Sequence, residues 1–134
     1  MCLYINSTDK AFIAKEDLVC YKILIKYPNN KYVSPYLNKT YSSKKEYVIR
    51  DRVRRKKEFS GIDGIYGGVM HSFMFFEDAQ RVAIYMHEYE NRPICIFSCI
   101  IPKGTKYYKG LDAIDQDCYA SKHLFINELI ETIE

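Results

Sequence analysis

The chain has 134 residues, of which 48% are hydrophobic and 28% charged, and its formal net charge is +3. This length and balance fit a single domain that can bury a core without disulfides or a metal. So small a net charge does not by itself indicate nucleic-acid binding. No apolar stretch reaches membrane-spanning length, and because polar residues follow Met1 to Tyr4 we expect no signal peptide. We therefore expect a cytoplasmic protein.

Tyrosines and cysteines are the unusual part of the composition. Thirteen tyrosines and seven phenylalanines accompany no tryptophan, which suits a half-wet sheet or a recognition surface. The five cysteines form no tight pairs, and an odd number favours reduced thiols. Cys95 and Cys99 would lie roughly 13 Å apart on one strand face, too far to share a metal ion. We interpret them as buried hydrophobes.

The first half of the chain predicts short strands and a hairpin. Apolar segments occur at 2–5 and 11–13, and residues 17–27 alternate a wholly apolar set with a mixed one. This period predicts a strand with one buried face. Residues 28–30 predict a turn, and 31–37 predict the return strand. Because Pro35 cannot donate to a ladder, that strand should lie at an edge or contain a bulge.

Residues 42–61 are polar and basic, and whether this segment is ordered stays open, although 46–53 is compatible with a strand. Four glycines then precede a predicted strand at 68–76. Residues 77–89 predict the main helix, because apolar residues recur at helical spacing and Glu77 and Asp78 stand where the helix dipole favours negative charge.

The second half predicts a central strand at 93–101, apolar on both faces. An acidic loop at 111–117 follows, and 124–129 predicts a last strand that ends in a short helix. The fold class is therefore α+β. We expect one compact domain over 1–134, with a curved, mainly antiparallel sheet covered by one main helix.

The three histidines have no metal-ligand spacing, so no metal site is predicted. His87 would lie near the helix C-terminus, where the dipole accounts for it. His71 follows the double glycine and would share a strand face with Phe73 and Phe75. It is either a hydrogen-bonded residue of the core or a functional group that exchanges protons near neutrality.

The basic run at 50–58 is the clearest candidate for partner binding through salt-sensitive attraction. Its target could be phosphate, nucleic acid or an acidic protein surface, although nucleic acid is not favoured because interleaved aromatics are missing. A solvated loop is the simpler interpretation. Acidic residues near the C-terminal end, including Asp112, Asp115 and Asp117, make the charge distribution dipolar. The predicted partner-binding residues are Arg50, Arg52, Arg54, Arg55, Lys56 and Lys57.

Several short motifs, taken in order, resemble a family of small uncharacterised proteins encoded by phages and bacteria. They are CYKIL, SPY, GGVMHSF with EDA, IPKGTKYYKG and YASKHLFI, and they cover about 2–126. The resemblance implies a compact α+β domain and no settled reaction.

The chain also shows a fainter resemblance to the ADP-ribosyltransferase fold. This resemblance places Tyr21–Lys22, His71–Ser72 and Glu128 at the three positions of its site. The sequence departs from that pattern at Lys22, where such enzymes use Arg or His, and it lacks a Glu-x-Glu pair.

The sequence contains no nucleophile triad, phosphate loop or dinucleotide fingerprint. We therefore expect a non-enzymatic, phage-type accessory binding protein without a cofactor, which inhibits a host protein or sequesters a nucleotide-like ligand. One alternative is an ADP-ribosyltransferase-like enzyme acting on NAD or a nucleotide, with His71 or Glu128 as the catalytic group. Another is an interaction module that self-associates through the edge strand at 31–37. The oligomeric state stays open. The predicted ligand-binding residues are Tyr21, Lys22, Ser34, Tyr36, His71, Ser72 and Tyr119.

Overall fold

Alternating apolar residues make most of the chain β-structure. The computed structural model describes residues 3–35 and 39–134, so Tyr36 and Cys2 lie outside the described residues. Within them a large antiparallel sheet and one α-helix form a single compact domain, as predicted. None of the described residues belongs to a helix with the length and hydropathy needed to cross a bilayer.

The strands of the described residues belong to a single sheet. They are β1 (Leu3–Asn6), β2 (Phe12–Ile13), β3 (Leu18–Tyr27), β4 (Lys31–Val33), β5 (Thr40–Tyr41), β6 (Lys45–Val48), β7 (Arg54–Phe59), β8 (Ile62–Gly67), β9 (Met70–Phe73), β10 (Ile94–Ile101), β11 (Lys106–Leu111), β12 (Asp117–Ser121) and β13 (His123–Ile133). The order in the sheet is β6-β13-β10-β3-β9-β12-β11-β1-β8-β7, with β2 beside β11 and the pair β4–β5 beside β3. Every pairing is antiparallel.

The predicted hairpin and helix are both present, but the return strand predicted at 31–37 is the shorter β4, which lies between β3 and β5 and not at an edge. β3 turns through 28–30 into β4, with Asn29 and Asn30 in left-handed conformations at φ 68° and 56°. Asparagine tolerates this region because its side chain bonds locally. The helix α1 spans Phe76–His87 and buries Ala79 and Ala83 against the sheet.

The sheet packs a core on each face. Ile23, Ile96 and Phe73 belong to the cluster beneath α1, on the side that we call the helix face. Leu24 and Phe97 belong to the cluster on the opposite face, which also includes or contacts the tyrosines of β4, β5 and β6, Tyr32, Tyr41 and Tyr47. The predicted central strand, β10, contributes alternate residues to both clusters, as its two apolar faces require.

The sheet narrows to a seam between β3 and β9. These strands form one residue pair, Tyr21 with Phe73. Next to this pair, the side chain of Lys22 donates from Nζ to the backbone carbonyl of His71 at 2.7 Å. The seam divides the sheet into a helix-bearing half (β3, β4, β5, β6, β10 and β13) and a hairpin half (β1, β2, β7, β8, β9, β11 and β12).

Around β9 and β13 two predictions about local structure need correction, and one strand was missed. The glycine-rich stretch before Gly68 is the strand β8, so the predicted strand at 68–76 is the shorter β9 followed by α1. Gly68 lies in the turn between β8 and β9 with φ 76°, and a Cβ at this position would collide with the backbone carbonyl of Arg52. The predicted helical end is wrong, because β13 stays paired with β10 as far as Ile133 opposite Ile94. The strand β12 was not predicted separately from the tail.

The basic segment 42–61 contains the strands β6 and β7 and the turn that leads into β8. Its middle is attached to the sheet through Lys122. The Nζ of Lys122 donates to the carbonyl of Gly68 at 2.7 Å and to the carbonyl of Asp51. The strand predicted at 46–53 is therefore confirmed only for its first three residues.

Candidate binding surfaces

The β7–β8 hairpin presents the predicted basic run at one edge of the sheet. β7 pairs with β8, which in turn pairs with β1, and β7 is the last strand in the order. Its outward ladder edge has no strand neighbour among the described residues. An unpaired edge of this kind can accept another strand, and flanking charges control which strand can approach.

Arg55 differs from the other cations of the run because it is used inside the fold. Its guanidinium binds the carboxylate of Asp63 at 2.8 and 2.9 Å and donates to the carbonyls of Ser7 and Asp9. These contacts join β7 to β8 and to the loop after β1. We therefore assign Arg55 to the hairpin's structure, whereas the sequence had grouped it with the partner-binding residues.

Arg54 and Lys56 flank an exposed tyrosine that the sequence analysis missed. The guanidinium carbon of Arg54 lies 5.8 Å and the Nζ of Lys56 lies 5.4 Å from the centre of the Tyr66 ring. Gly67 makes this arrangement possible, since a Cβ there would collide with the Arg54 guanidinium. The sequence does contain a signal, because basic residues alternate at 54 and 56 and Tyr66 lies between glycines. That these residues face one another can be inferred only when the register of β7 against β8 is known.

The remaining cations of the run are also exposed. Arg50, Arg52, Arg54 and Lys57 enter no ion pair among the described residues, and Lys56 contacts Glu58 at 3.5 Å. We call the surface formed by Arg50, Arg52, Arg54, Lys56, Lys57 and Tyr66 the basic edge. Exposed cations that lack internal partners can contact an external anion at little cost.

The predicted ligand residue Lys22 is buried on the face opposite α1. Its side chain has no carboxylate partner among the described residues, and its Nζ lies 5.2 Å from the centre of the Tyr41 ring. Burial lowers the pKa of Lys22 to about 8. At neutral pH the amine therefore stays mostly protonated, an unpaired ammonium inside the protein.

Two other predicted ligand residues lie near Lys22. Ser72 and Tyr119 pair directly across β9 and β12 on this face. Ser121 lies two residues after Tyr119 on β12. The hydroxyl oxygens of Ser72 and Ser121 are buried and neither accept nor donate a hydrogen bond of ordinary geometry in the described structure. Lys39 also belongs to this region, with its Nζ 5.5 Å from the Tyr41 ring centre and 5.7 Å from that of Tyr47. Sequence reasoning missed Tyr41, Lys39 and Ser121.

The other predicted ligand residues are placed elsewhere. Tyr21 belongs to the helix face, where its ring packs edge-on against Phe76 at 5.7 Å. Ser34 is buried just after β4, and its backbone N–H donates to the carbonyl of Lys39. The structure therefore brings together Lys22, Ser72 and Tyr119 and separates them from Tyr21.

His71 lies on β9 between Met70 and Ser72, with its side chain on the helix face by strand alternation. It is 9% exposed, and its Nδ1 has no hydrogen-bond partner among the described residues. Burial, aided by the charge of Lys22, lowers the pKa of His71 to about 3. The imidazole is therefore neutral at physiological pH.

The thiols of the core are protonated for the same reason. Burial raises the pKa of Cys20 and of Cys118 to about 12, and it also raises the pKa of Cys95 and of Cys99. The interpretation of Cys95 and Cys99 as buried hydrophobes is confirmed. Since the thiolate is the nucleophile, none of these four thiols is poised for covalent chemistry.

Of the residues of the ADP-ribosyltransferase-like alternative, Lys22 donates to the backbone carbonyl of His71, but the side chains of Tyr21, His71 and Glu128 do not form a connected group. The carboxylate of Glu128 is exposed and contacts Lys44 at 3.3 Å, whereas His71 is buried and Tyr21 packs beneath the start of α1. No hydrogen bond in the described structure joins any two of them. Nor do the described residues contain a cluster of three His, Cys, Asp or Glu side chains suited to a metal ion.

Comparison with protein-family models, with curated proteins and with solved structures finds no match to this chain.

Proposed function

We propose that this chain is a non-enzymatic accessory binding protein whose basic edge binds an acidic segment of a partner protein. The observation that carries the proposal is the group of exposed cations on the outermost strand of the sheet and just before it, of which Lys56 alone has an ion-pair partner among the described residues, Glu58. Inhibition of a host protein is the role that the resemblance to phage-encoded proteins suggests for such a surface.

The geometry of β7 favours a protein partner over nucleic acid. Its open ladder edge offers backbone N–H and C=O groups that an extended polypeptide can pair with, while alternate side chains provide specificity. Arg54 and Lys56 point to one face of that strand, at a spacing that acidic residues of an added strand can match. Single-stranded nucleic acid usually requires several stacking aromatics, and the basic edge offers only Tyr66.

The protonation states of the core thiols and of His71 support packing rather than catalysis as the role of these groups, whereas the pKa of Lys22, about 8, lies near the working range. Burial holds the thiols protonated and His71 neutral, so these groups are adjusted to packing. Catalytic groups are instead tuned so that their pKa lies near the working pH.

The proposal is tested with a labelled polyglutamate peptide and a triple variant, Arg52→Gln, Arg54→Gln and Lys56→Gln, that leaves Arg55 intact. We expect the wild-type protein to bind the peptide in fluorescence anisotropy and the triple variant to bind at least about tenfold more weakly. Binding should also weaken with added salt, because exposed charges are screened.

The matched control replaces three exposed lysines away from the hairpin, Lys15, Lys31 and Lys103, with glutamine. It has the same net charge and should retain the wild-type affinity. An equal loss in both triple variants would show that only net charge matters and would refute a site at the basic edge. Tight hairpin-dependent binding of oligo-dT, with none of polyglutamate, would instead assign the surface to nucleic acid.

A nucleotide-like ligand is the second candidate, favoured by the buried ammonium of Lys22, which donates to the His71 carbonyl and has no carboxylate partner among the described residues. If ADP or NAD binds there, millimolar ligand should raise the melting temperature of the wild-type protein and leave that of Lys22→Met unchanged. Equal shifts in both proteins, or no shift in either, would exclude this site.

A further inference from the structure

An open groove with apolar walls lies at the tip of the β7–β8 hairpin. It has a volume of about 710 Å³ and lies between the hairpin tip, β1, β2 and the turn that joins β11 to β12. Phe59 and Phe12 line it and are 68% and 53% exposed, and Leu111 is 39% exposed. Large apolar side chains gathered around an open groove mark a contact surface more often than isolated exposed residues do.

The charge of this groove is opposite to that of the basic edge. Four aspartates line it, Asp9, Asp112, Asp115 and Asp117, against one lysine, Lys109. We call it the acidic groove. The acidic groove adjoins the basic hairpin but has the opposite charge. The two are therefore separate surfaces and not one continuous anion-binding surface.

Two of the four aspartates are used by the fold. The carboxylate of Asp112 accepts hydrogen bonds from the backbone N–H groups of Ile114 and Gln116, and the carboxylate of Asp9 accepts one from Asn6. Asp115 and Asp117 have no side-chain hydrogen bond or ion pair in the described part of the chain. These two are the carboxylates available to a ligand.

The turn that carries Asp115 and Asp117 also contains Gln116, which is 8% exposed and does not line the groove. The free acceptors that the groove offers are therefore the two carboxylates, and carboxylate oxygens suit a ligand with N–H donors.

The cation that fits is an organic one. The described residues include no three-ligand cluster suited to a metal ion. Lysine and arginine combine a charged head with an apolar stem, which matches free carboxylates set among aromatic and aliphatic walls. The groove is open rather than enclosed, so it suits side chains of a polypeptide laid against it.

We infer that the acidic groove binds an extended peptide segment in which basic and apolar residues alternate. The apolar side chains pack against Phe59, Phe12 and Leu111, and the basic ones pair with Asp115 and Asp117. The partner is thus chemically distinct from the acidic segment proposed for the basic edge, and the groove does not depend on that proposal.

The experiment uses a labelled octapeptide in which lysine and leucine alternate, together with lysine–glycine and glutamate–leucine counterparts. We expect the lysine–leucine peptide to bind the full chain and the other two to bind at least about tenfold more weakly. The lysine–glycine peptide lacks the apolar side chains, and the glutamate–leucine peptide lacks the cations that pair with the aspartates. The double variant Asp115→Asn and Asp117→Asn should lose about tenfold in affinity. Asparagine keeps the shape and tolerates the positive φ of 62° at residue 115.

Phe59→Ser tests the apolar wall and should also weaken binding, with little effect on folding because the side chain is mostly exposed. Circular dichroism melting confirms that each variant is folded. The control Glu16→Gln and Glu88→Gln removes two exposed acids that do not line the groove, and it should bind as the wild type does.

The triple variant of the basic edge should retain its affinity for the lysine–leucine peptide, which separates the two surfaces. Three outcomes would overturn the inference: no binding of that peptide, equal binding of the lysine–glycine peptide, or equal losses in the Asp and Glu double variants. Salt-sensitive self-association of the wild type that the hairpin variant abolishes would assign the groove to a second copy of the chain and would also overturn it.

Discussion

Replacing His71 with leucine should remove much of the protein's loss of stability in acid. The unfolded chain takes up a proton on this imidazole near pH 6.5, whereas burial lowers the folded pKa to about 3. Between those values the unfolded state binds more protons, so the free energy of unfolding falls as the pH falls. From neutral pH to about pH 4 the linked loss is about 3 kcal/mol in the wild type and absent in the variant.

Urea unfolding followed by circular dichroism at a series of pH values measures this difference. Carboxylates titrate in both proteins, so the comparison isolates the histidine. His87→Gln removes a histidine from the end of α1 and should keep the wild-type slope. Parallel curves for the wild type and His71→Leu would show that the folded and unfolded imidazoles titrate alike and that burial does not lower the pKa of His71.

Replacing Lys22 with methionine should change the stability at the alkaline side. The folded pKa of about 8 lies below the ordinary value of 10.5 because the amine is buried. Between these values the unfolded state binds more protons, and the wild type therefore gains stability as the pH rises. Relative to Lys22→Met, the wild type should gain about 2 kcal/mol between about pH 7 and pH 9.5.

The buried thiols titrate above pH 9 in the opposite direction, since burial raises their pKa, but they are common to both proteins. Lys31→Met changes an exposed lysine on β4 and should show no such dependence. If the free energy difference between wild type and Lys22→Met stayed constant with pH, the ammonium would have to be solvated rather than buried.

Much of the fold was predictable because the strongest patterns are local. The alternation in 18–27, the fully apolar run of β10 and the helical spacing around Ala79 and Ala83 each depend on one segment of chain. The Asn-rich turn after Tyr27 fixed the hairpin for the same reason. These features follow from side-chain period and turn chemistry alone.

The strand β8 was not predictable in the same way, because its glycines lower the strand propensity and their use depends on a partner strand. Gly64 and Gly67 leave room for the Glu58 and Arg54 side chains that cross from β7. The candidate sites show the same limit. Lys22 and Ser72 were both predicted to bind a ligand, although they are 50 positions apart in the sequence. The burial that lowers the pKa of the Lys22 amine could not be predicted, because it arises where Lys22 lies beside Tyr41 and the seam in the folded chain.

The seam between β3 and β9 separates two tasks within one sheet. The basic edge and the acidic groove lie on strands and turns of the hairpin half, whereas α1 packs mainly on the helix-bearing half. Substitutions that alter the binding surfaces and substitutions that alter packing under the helix therefore fall on largely different strands. Changes on the strands and turns that carry the proposed binding surfaces can therefore leave the packing of α1 on β3 and β10 unaltered.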